Sequence, residues 1–308
     1  MRILLLKDII HSINKMADSN TVYEEVDNHM NVTYKWSPAI VEDSITTSRG
    51  TLVEIVRRPN WGLSCYMDNA IQSCEADEGT YHDALTRKAM SYANGAKRVC
   101  IIGGGEGATA RNVLGWPGVE RVDMIEWDSD VIDLFKAKYP QWSRGAWDDS
   151  RLHIEIADAF AVCEEERVYD VVIVDLFDPT KDDLERWSNL VRKVTAWATR
   201  SVVVYSGMST IFDTEPVYQS TFNIMSSFDK FHIVERYNQF VPSFVGEAVF
   251  VFGGTRGYPF IEEHVSTSTE PSAEPAPESV PETAPESSAE SVPESSAESA
   301  PEPTTEPI

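Results

Sequence analysis

Residues Arg98 to Asp128 read RVCIIGGGEGATARNVLGWPGVERVDMIEWD, and this stretch decides the fold. It opens with an apolar run, Val99 to Ile102, of the kind that forms a strand buried on both faces. Gly103, Gly104 and Gly105 follow, then Glu106 and Gly107. Only glycine turns so sharply while letting a ligand approach the backbone. The pattern predicts a helix over Ala108–Leu114, stopped by Gly115 and Pro117, and a second strand over Arg121–Ile125 that ends at Glu126. A strand, a glycine turn, a helix and an acid about twenty residues on form the nucleotide-binding arrangement of a doubly wound sheet, in which that acid takes the ribose hydroxyls.

Glu106 narrows the ligand. A dinucleotide pyrophosphate rests on a helix N-terminus, where amides and the helix dipole favour negative charge. A carboxylate inside the turn repels phosphate and attracts a cation. Gly103, Gly105 and Ala108 also fit GxGxxA, which keeps a nicotinamide or flavin ligand open, as is an acidic surface turn without ligand. A cationic nucleoside without phosphate, a sulfonium of the S-adenosylmethionine type, fits better.

The 308 residues carry a formal charge of −24. From Ser266 the text is Ser, Thr, Glu, Pro and Ala but for Val280, Val292 and Ile308, with Glu at every fourth position from Glu270 to Glu306 and no aromatic residue. Such a segment buries too little apolar surface to offset its ordering entropy, so residues 259–308 are expected to be a disordered acidic tail. The rest stays acidic without it. Nucleic acid is therefore an unfavourable partner, and a polycationic small molecule is drawn in. Cys65, Cys74, Cys100 and Cys163 form no CxxC pair, which is reduced, intracellular usage. The six histidines make no ligand cluster, so no metal is expected. Ile3–Leu6, interrupted by Lys7 and Asp8, is too short for a signal peptide or membrane span. A cytoplasmic protein that meets no membrane is expected.

Residues 1–45 carry a weak amphipathic helix pattern (Ile9, Ile10, Ile13, Met16) and are assigned no role. Residues 46–92 read as a small antiparallel β domain: TLVEIVRR, GLSCYMD and AIQSC, with turns at Asn60-Trp61-Gly62 and Asp68-Asn69, then a helix from Glu75 to Met90. Residues 93–258 alternate strand and helix. After the first two strands come Leu152–Ile156, Tyr169–Val174, Ser201–Tyr205, Phe231–Arg236 and Ala248–Phe252, with helices after Asp128 and over Leu184–Ala198 and Glu215–Phe228. The fold class is α/β, a class I methyltransferase-like Rossmann sheet behind a small antiparallel β domain.

Ligands of open α/β sheets lie beyond the carboxyl ends of the central strands. Glu126, Asp158, Asp175 and Asp178 fall at such ends, with Glu106 in the first turn. One acid after a strand is commonly a helix cap. Five in one crevice repel one another, and a cationic ligand relieves that repulsion.

The combination of DNAIQSCEADEGTYHDAL (Asp68–Leu85), IIGGGEGATAR (Ile101–Arg111), MIEWD (Met124–Asp128), YDVVIVDLFDP (Tyr169–Pro179) and FVPSF (Phe240–Phe244) resembles the spermidine/spermine synthase family of polyamine aminopropyltransferases. GGGEG and VPSF are most similar to its thermospermine synthase branch. The resemblance implies transfer of an aminopropyl group from decarboxylated S-adenosylmethionine, a co-substrate rather than a prosthetic group, to a polyamine such as spermidine or putrescine, releasing methylthioadenosine. It places the donor on Gly103, Gly105, Glu106, Glu126 and Asp158. Glu106 would attract the donor's ammonium and repel the carboxylate of ordinary S-adenosylmethionine. Asp158 would lie at the adenine edge. The acceptor, an alkylammonium with a pKa of about 10, must lose a proton before it attacks. Asp175 is the expected base, assisted by Tyr81, while Gln72, His82 and Asp178 seat the polyamine. A homodimer is also implied.

Four departures lie on the acceptor side and the lid. Thr51 and Ser206 stand where the family has glutamines, TKDDLERW (Thr180–Trp187) replaces a lid with Gly-Pro and Leu-Tyr, and VGEAVF follows VPSF in place of Trp-Gly. Two other functions compatible with the same fold are an S-adenosylmethionine-dependent methyltransferase and a catalytically lapsed homologue that binds nucleoside or polyamine.

Overall fold

The computed structural model describes residues 21–27, 32–162, 166–209 and 217–256. The N-terminal amphipathic pattern, Cys163, the first residues of the helix expected from Glu215, and the acidic tail lie outside these residues. The described residues belong to one unit that ends at Glu262.

Asp175 and Gly103 are neighbours across two parallel strands, and the large sheet is built outward from that pair. The strands are β7 (Arg98–Gly103), β8 (Arg121–Glu126), β9 (Leu152–Ile156), β10 (Tyr169–Asp175), β11 (Ala198–Met208), β12 (Phe231–Val241) and β13 (Gly246–Thr255), in the order β12-β13-β11-β10-β7-β8-β9. Pairing from β11 across to β9 is parallel, whereas β13 runs antiparallel to both β11 and β12. This is the class I methyltransferase-like sheet that the strand count predicts. The chain steps one way from β7 to β9 and the other way from β10, which opens a crevice at the carboxyl ends of β7 and β10.

The central strands are apolar throughout because both faces are covered. On β7, Val99 and Ile101 join the core beneath α1 (Glu78–Tyr92) and α2 (Ala108–Leu114), while Cys100 and Ile102 face the opposite core. On β10, Val171 and Ile173 divide from Val172 and Val174 in the same way. The second core is closed by α6 (Leu184–Trp197) and α7 (Val217–Ser226). Trp187, Leu190, Val191 and Val194 form the buried stripe of α6 at helical spacing, and the Trp187 indole donates to Thr221 Oγ1 at 3.0 Å. Asp128 caps α3 (Ser129–Lys138) by accepting from the Asp130 amide.

N-terminal to the large sheet, β3 (Ile40–Thr46), β4 (Leu52–Arg58), β5 (Gly62–Met67) and β6 (Ala70–Cys74) form an antiparallel meander. Asp68 and Asn69 both have positive φ, as a two-residue hairpin with the twist of its strands requires. Val53, Ile55, Leu63 and Cys65 of this sheet pack on α3 and on Trp142 of α4 (Pro140–Ser143), whose indole donates to Ser73 Oγ at 2.8 Å. The antiparallel structure begins earlier than residue 46. β3 precedes that point, as do β1 (Tyr23–Asp27) and β2 (Val32–Trp36), which pair with each other. Most of β2 and β3 is exposed or half-buried, so their sequences lack the apolar alternation that marks a strand.

Candidate active site

The first turn is shaped by what it must leave room for. A β-carbon on Gly103, whose φ is +87°, would lie 2.0 Å from the carbonyl oxygen of Asp175. One on Gly105 would lie 3.0 Å from Glu126 Oε2. Glycine at these positions lets β10 and the end of β8 close on the turn. Glu126, last residue of β8, accepts from the Asp128 amide at 3.0 Å, and burial pushes its carboxyl above the usual range.

Asp175 is held from two sides. Its Oδ1 accepts from the Tyr81 hydroxyl at 2.8 Å and its Oδ2 from Thr109 Oγ1 at 2.5 Å. Tyr81 comes from α1 and Thr109 from the first turn of α2, so three elements fix one carboxylate. Thr109 is not among the residues that the sequence singles out; its only signal there is a hydroxyl in the first turn after the glycines.

Next to Tyr81 on α1, His82 is 2 % exposed. Its Nε2 lies 2.7 Å from Glu106 Oε1 and its Nδ1 3.1 Å from Glu78 Oε2. Burial alone would push the imidazole down, but Glu106 first and then Glu78 hold it up to about 10. Burial raises the Glu106 carboxyl; His82 pulls it back in part, and Asp175 and Glu78 add to the rise. Glu78 is the opposite case. Burial disfavours its charge, yet His82 and Arg111 bring it down to about 2.

The flank of the site beyond Tyr81 is aromatic and acidic. The Tyr205 hydroxyl donates to Asp178 Oδ1, and its ring meets that of Tyr81 edge-on at 5.6 Å. Tyr205 is a second residue that the sequence does not mark. Gln72, on β6, donates its side-chain amide to the Ala70 carbonyl at 3.2 Å and lines a narrow crevice with Asp77, Tyr81, His82 and Phe244. Asp77 Oδ2 accepts from the Ser243 amide at 2.7 Å and so ties FVPSF to the start of α1. Ser206 is buried and its hydroxyl turns back to the Val204 carbonyl at 3.2 Å. Thr51 closes a tight turn with Thr47.

The structure thus brings Glu106, Asp175, Tyr81 and His82 together, with Glu126 on the β8 side and Asp178 and Gln72 on the flank beyond Tyr81. Asp158 lies beyond β9, and there one of its carboxylate oxygens caps α5 (Ala159–Val162) through the Phe160 amide at 2.9 Å. Among the described residues no group of three or more His, Cys, Asp or Glu is placed to hold a metal ion.

A doubly wound sheet with an acid at the end of β8 and an acidic switch-point crevice defines a nucleoside-binding site of the class I methyltransferase type. Residues 78–251 match the spermine/spermidine synthase domain. The chain is 34 % identical over 209 residues to polyamine aminopropyltransferase 1 of Hyperthermus butylicus, covering 64 % of this chain and 69 % of that protein. It is 34 % identical over 221 residues to the polyamine aminopropyltransferase of Pyrobaculum calidifontis, covering 68 % and 73 %. A crystal structure of a spermidine synthase in complex with the transition-state analogue AdoDATO superposes with a TM-score of 0.68 at 26 % identity, covering 79 % of this chain and 82 % of that one. The spermidine synthase of Thermotoga maritima shares the fold, with a TM-score of 0.65 at 24 % identity over 79 % and 81 % of the two chains. The chain belongs to the spermine/spermidine synthase family and is an aminopropyltransferase, with decarboxylated S-adenosylmethionine as its co-substrate.

Proposed function

We propose that this enzyme makes a tetraamine, with spermidine as acceptor, and that Asp175 is the base. The observation that carries the catalytic assignment is the double anchoring of Asp175 by Tyr81 and Thr109 at the switch point, one strand from Glu106. The tetraamine assignment is supported by GGGEG and VPSF, and a polycation suits a crevice that Asp77 and Glu78 line beside Tyr81, the partner of Asp175.

In this reading Glu126 holds the ribose hydroxyls, Asp158 the adenine edge and Glu106 the donor's ammonium, with Gly103 and Gly105 giving the nucleoside access to the turn. Gln72, His82 and Asp178 border the acceptor. Asp175 takes a proton from the acceptor ammonium, and the freed lone pair attacks the aminopropyl carbon bonded to sulfur. A C–N bond forms as the C–S bond breaks, and the sulfur keeps the bonding pair, so the sulfonium leaves as the neutral thioether methylthioadenosine. An ordinary carboxylate is a weak base for an alkylammonium, so orientation must supply much of the rate. A cytoplasmic homodimer is part of the same proposal.

The test is incubation with decarboxylated S-adenosylmethionine and putrescine, spermidine or norspermidine in turn, following methylthioadenosine and polyamine products by chromatography. Preferred turnover of spermidine to a tetraamine supports the reading. Turnover of putrescine alone removes the tetraamine assignment, and methyl transfer from ordinary S-adenosylmethionine removes the whole of it.

A further inference from the structure

Four alternating charges run from α2 across α1 into the glycine turn: Arg111, Glu78, His82 and Glu106. Arg111 grips both oxygens of Glu78, at 3.0 and 2.9 Å, and Glu78 and His82 are 6 % and 2 % exposed. In such surroundings ion pairs are little screened, and removal of one partner strands the other.

Hydrogen-bond accounting ties the state of the ring to that of Glu106. Nδ1 of His82 faces two acceptors, the Glu78 carbonyl at 2.6 Å and the Glu78 carboxylate at 3.1 Å, so it must carry a hydrogen. Nε2 faces Glu106, and when Glu106 is ionised that nitrogen must donate as well. A ring that donates from both nitrogens is an imidazolium.

We propose that Glu78 and Arg111 are positioning residues of the donor site, which hold the His82 imidazolium and through it keep the Glu106 carboxylate ionised and aimed at the donor's ammonium. The proposal rests on the assignment of Glu106 to the donor. The other groups that face this row come from four elements. Tyr81 lies beside His82 on α1, and Asp175 at the end of β10 opposes ionisation of Glu106. Arg144, after α4, adds a 3.3 Å contact to Glu78 Oε1. Cys65 on β5 stays a thiol, because burial and then Glu106 push it up. The imidazolium is the only cation in contact with Glu106 among the described residues, so it offsets the repulsion from Asp175.

Two ligands separate positioning from folding. Decarboxylated S-adenosylmethionine carries the ammonium; methylthioadenosine keeps the nucleoside and sulfur and lacks it. In the full chain, Glu78→Gln is expected to weaken the first about tenfold by calorimetry and the second by less than about twofold. Glu78→Asp should recover part of the loss. Equal losses for both ligands, or none for either, overturn the proposal. Histidine-selective ¹⁵N NMR of the unmutated protein reads the ring itself. With His82→Gln used to assign the signal, both ring nitrogens should be protonated at pH 7, and one unprotonated nitrogen overturns the proposal. If Glu106→Gln leaves the preference for decarboxylated S-adenosylmethionine over methylthioadenosine unchanged, the donor assignment itself fails, while the spectrum still reports on the row.

Discussion

Thr109 and Tyr81 approach Asp175 from different helices and engage different oxygens, at 2.5 and 2.8 Å. The carboxylate therefore has one available orientation, set by the docking of α1 and α2 on β10. The base proposed above, which must meet the acceptor's ammonium at a fixed place, gains from such restriction.

Removing either anchor should lower turnover and leave the donor bound. A hydrogen bond to a charged group contributes about 1.5–3 kcal/mol, so Thr109→Val and Tyr81→Phe should each reduce kcat by roughly ten- to hundredfold. Donor affinity by calorimetry should change little. Unchanged kcat in both variants would detach Asp175 from proton transfer.

Asp175→Asn keeps the size of the side chain and removes the proton acceptor. Product should be undetectable while donor affinity stays close to that of the unmutated enzyme. Stopped-assay chromatography for methylthioadenosine measures the first, calorimetry the second.

Donor binding should depend on acidity through Glu106. Its carboxyl is raised by burial, and binding of an ammonium needs the ionised form. Affinity is thus retained above the raised pKa and falls as pH drops through it, beginning at a higher pH than for an exposed glutamate. Methylthioadenosine, which lacks the ammonium, should show a flatter profile. Parallel profiles for the two ligands would remove Glu106 from ammonium recognition.

Stability should follow His82 and Glu78 in opposite pH ranges. His82 rises from 6.5 to about 10, so its contribution is complete below about 6.5 and lost as pH climbs through about 10. Glu78 falls from 4.5 to about 2, so its contribution is complete above about 4.5 and lost as pH falls through about 2. The gap in melting temperature between the unmutated enzyme and His82→Gln should be widest near pH 5–6 and shrink toward pH 10.

The large sheet was legible because its central strands are covered on both faces, and unbroken apolar runs such as Val171–Val174 mark them. β1 to β3 were not, since burial there is partial and polar residues interrupt each strand. Within the site, the acids at strand ends could be placed from the sequence, because strand periodicity fixes where each strand stops. Thr109, Tyr205 and the Arg111 clamp could not. Their partners lie 66, 27 and 33 positions away, so only the docking of helices on the sheet brings them into reach. His82 shows the same difficulty in another form: its position was marked, whereas its two carboxylate neighbours emerge only in three dimensions.

The bond from the Ser243 amide to Asp77 joins residues 166 positions apart. The glycine turn, by contrast, is assembled from a strand, a loop and a helix that are consecutive in the chain. The proposed nucleoside half of the site is therefore a local product of translation, and the crevice wall proposed to face the amine is complete only when the final hairpin has threaded back to the beginning of α1. Lesions in that hairpin should strike amine recognition while leaving the nucleoside half intact.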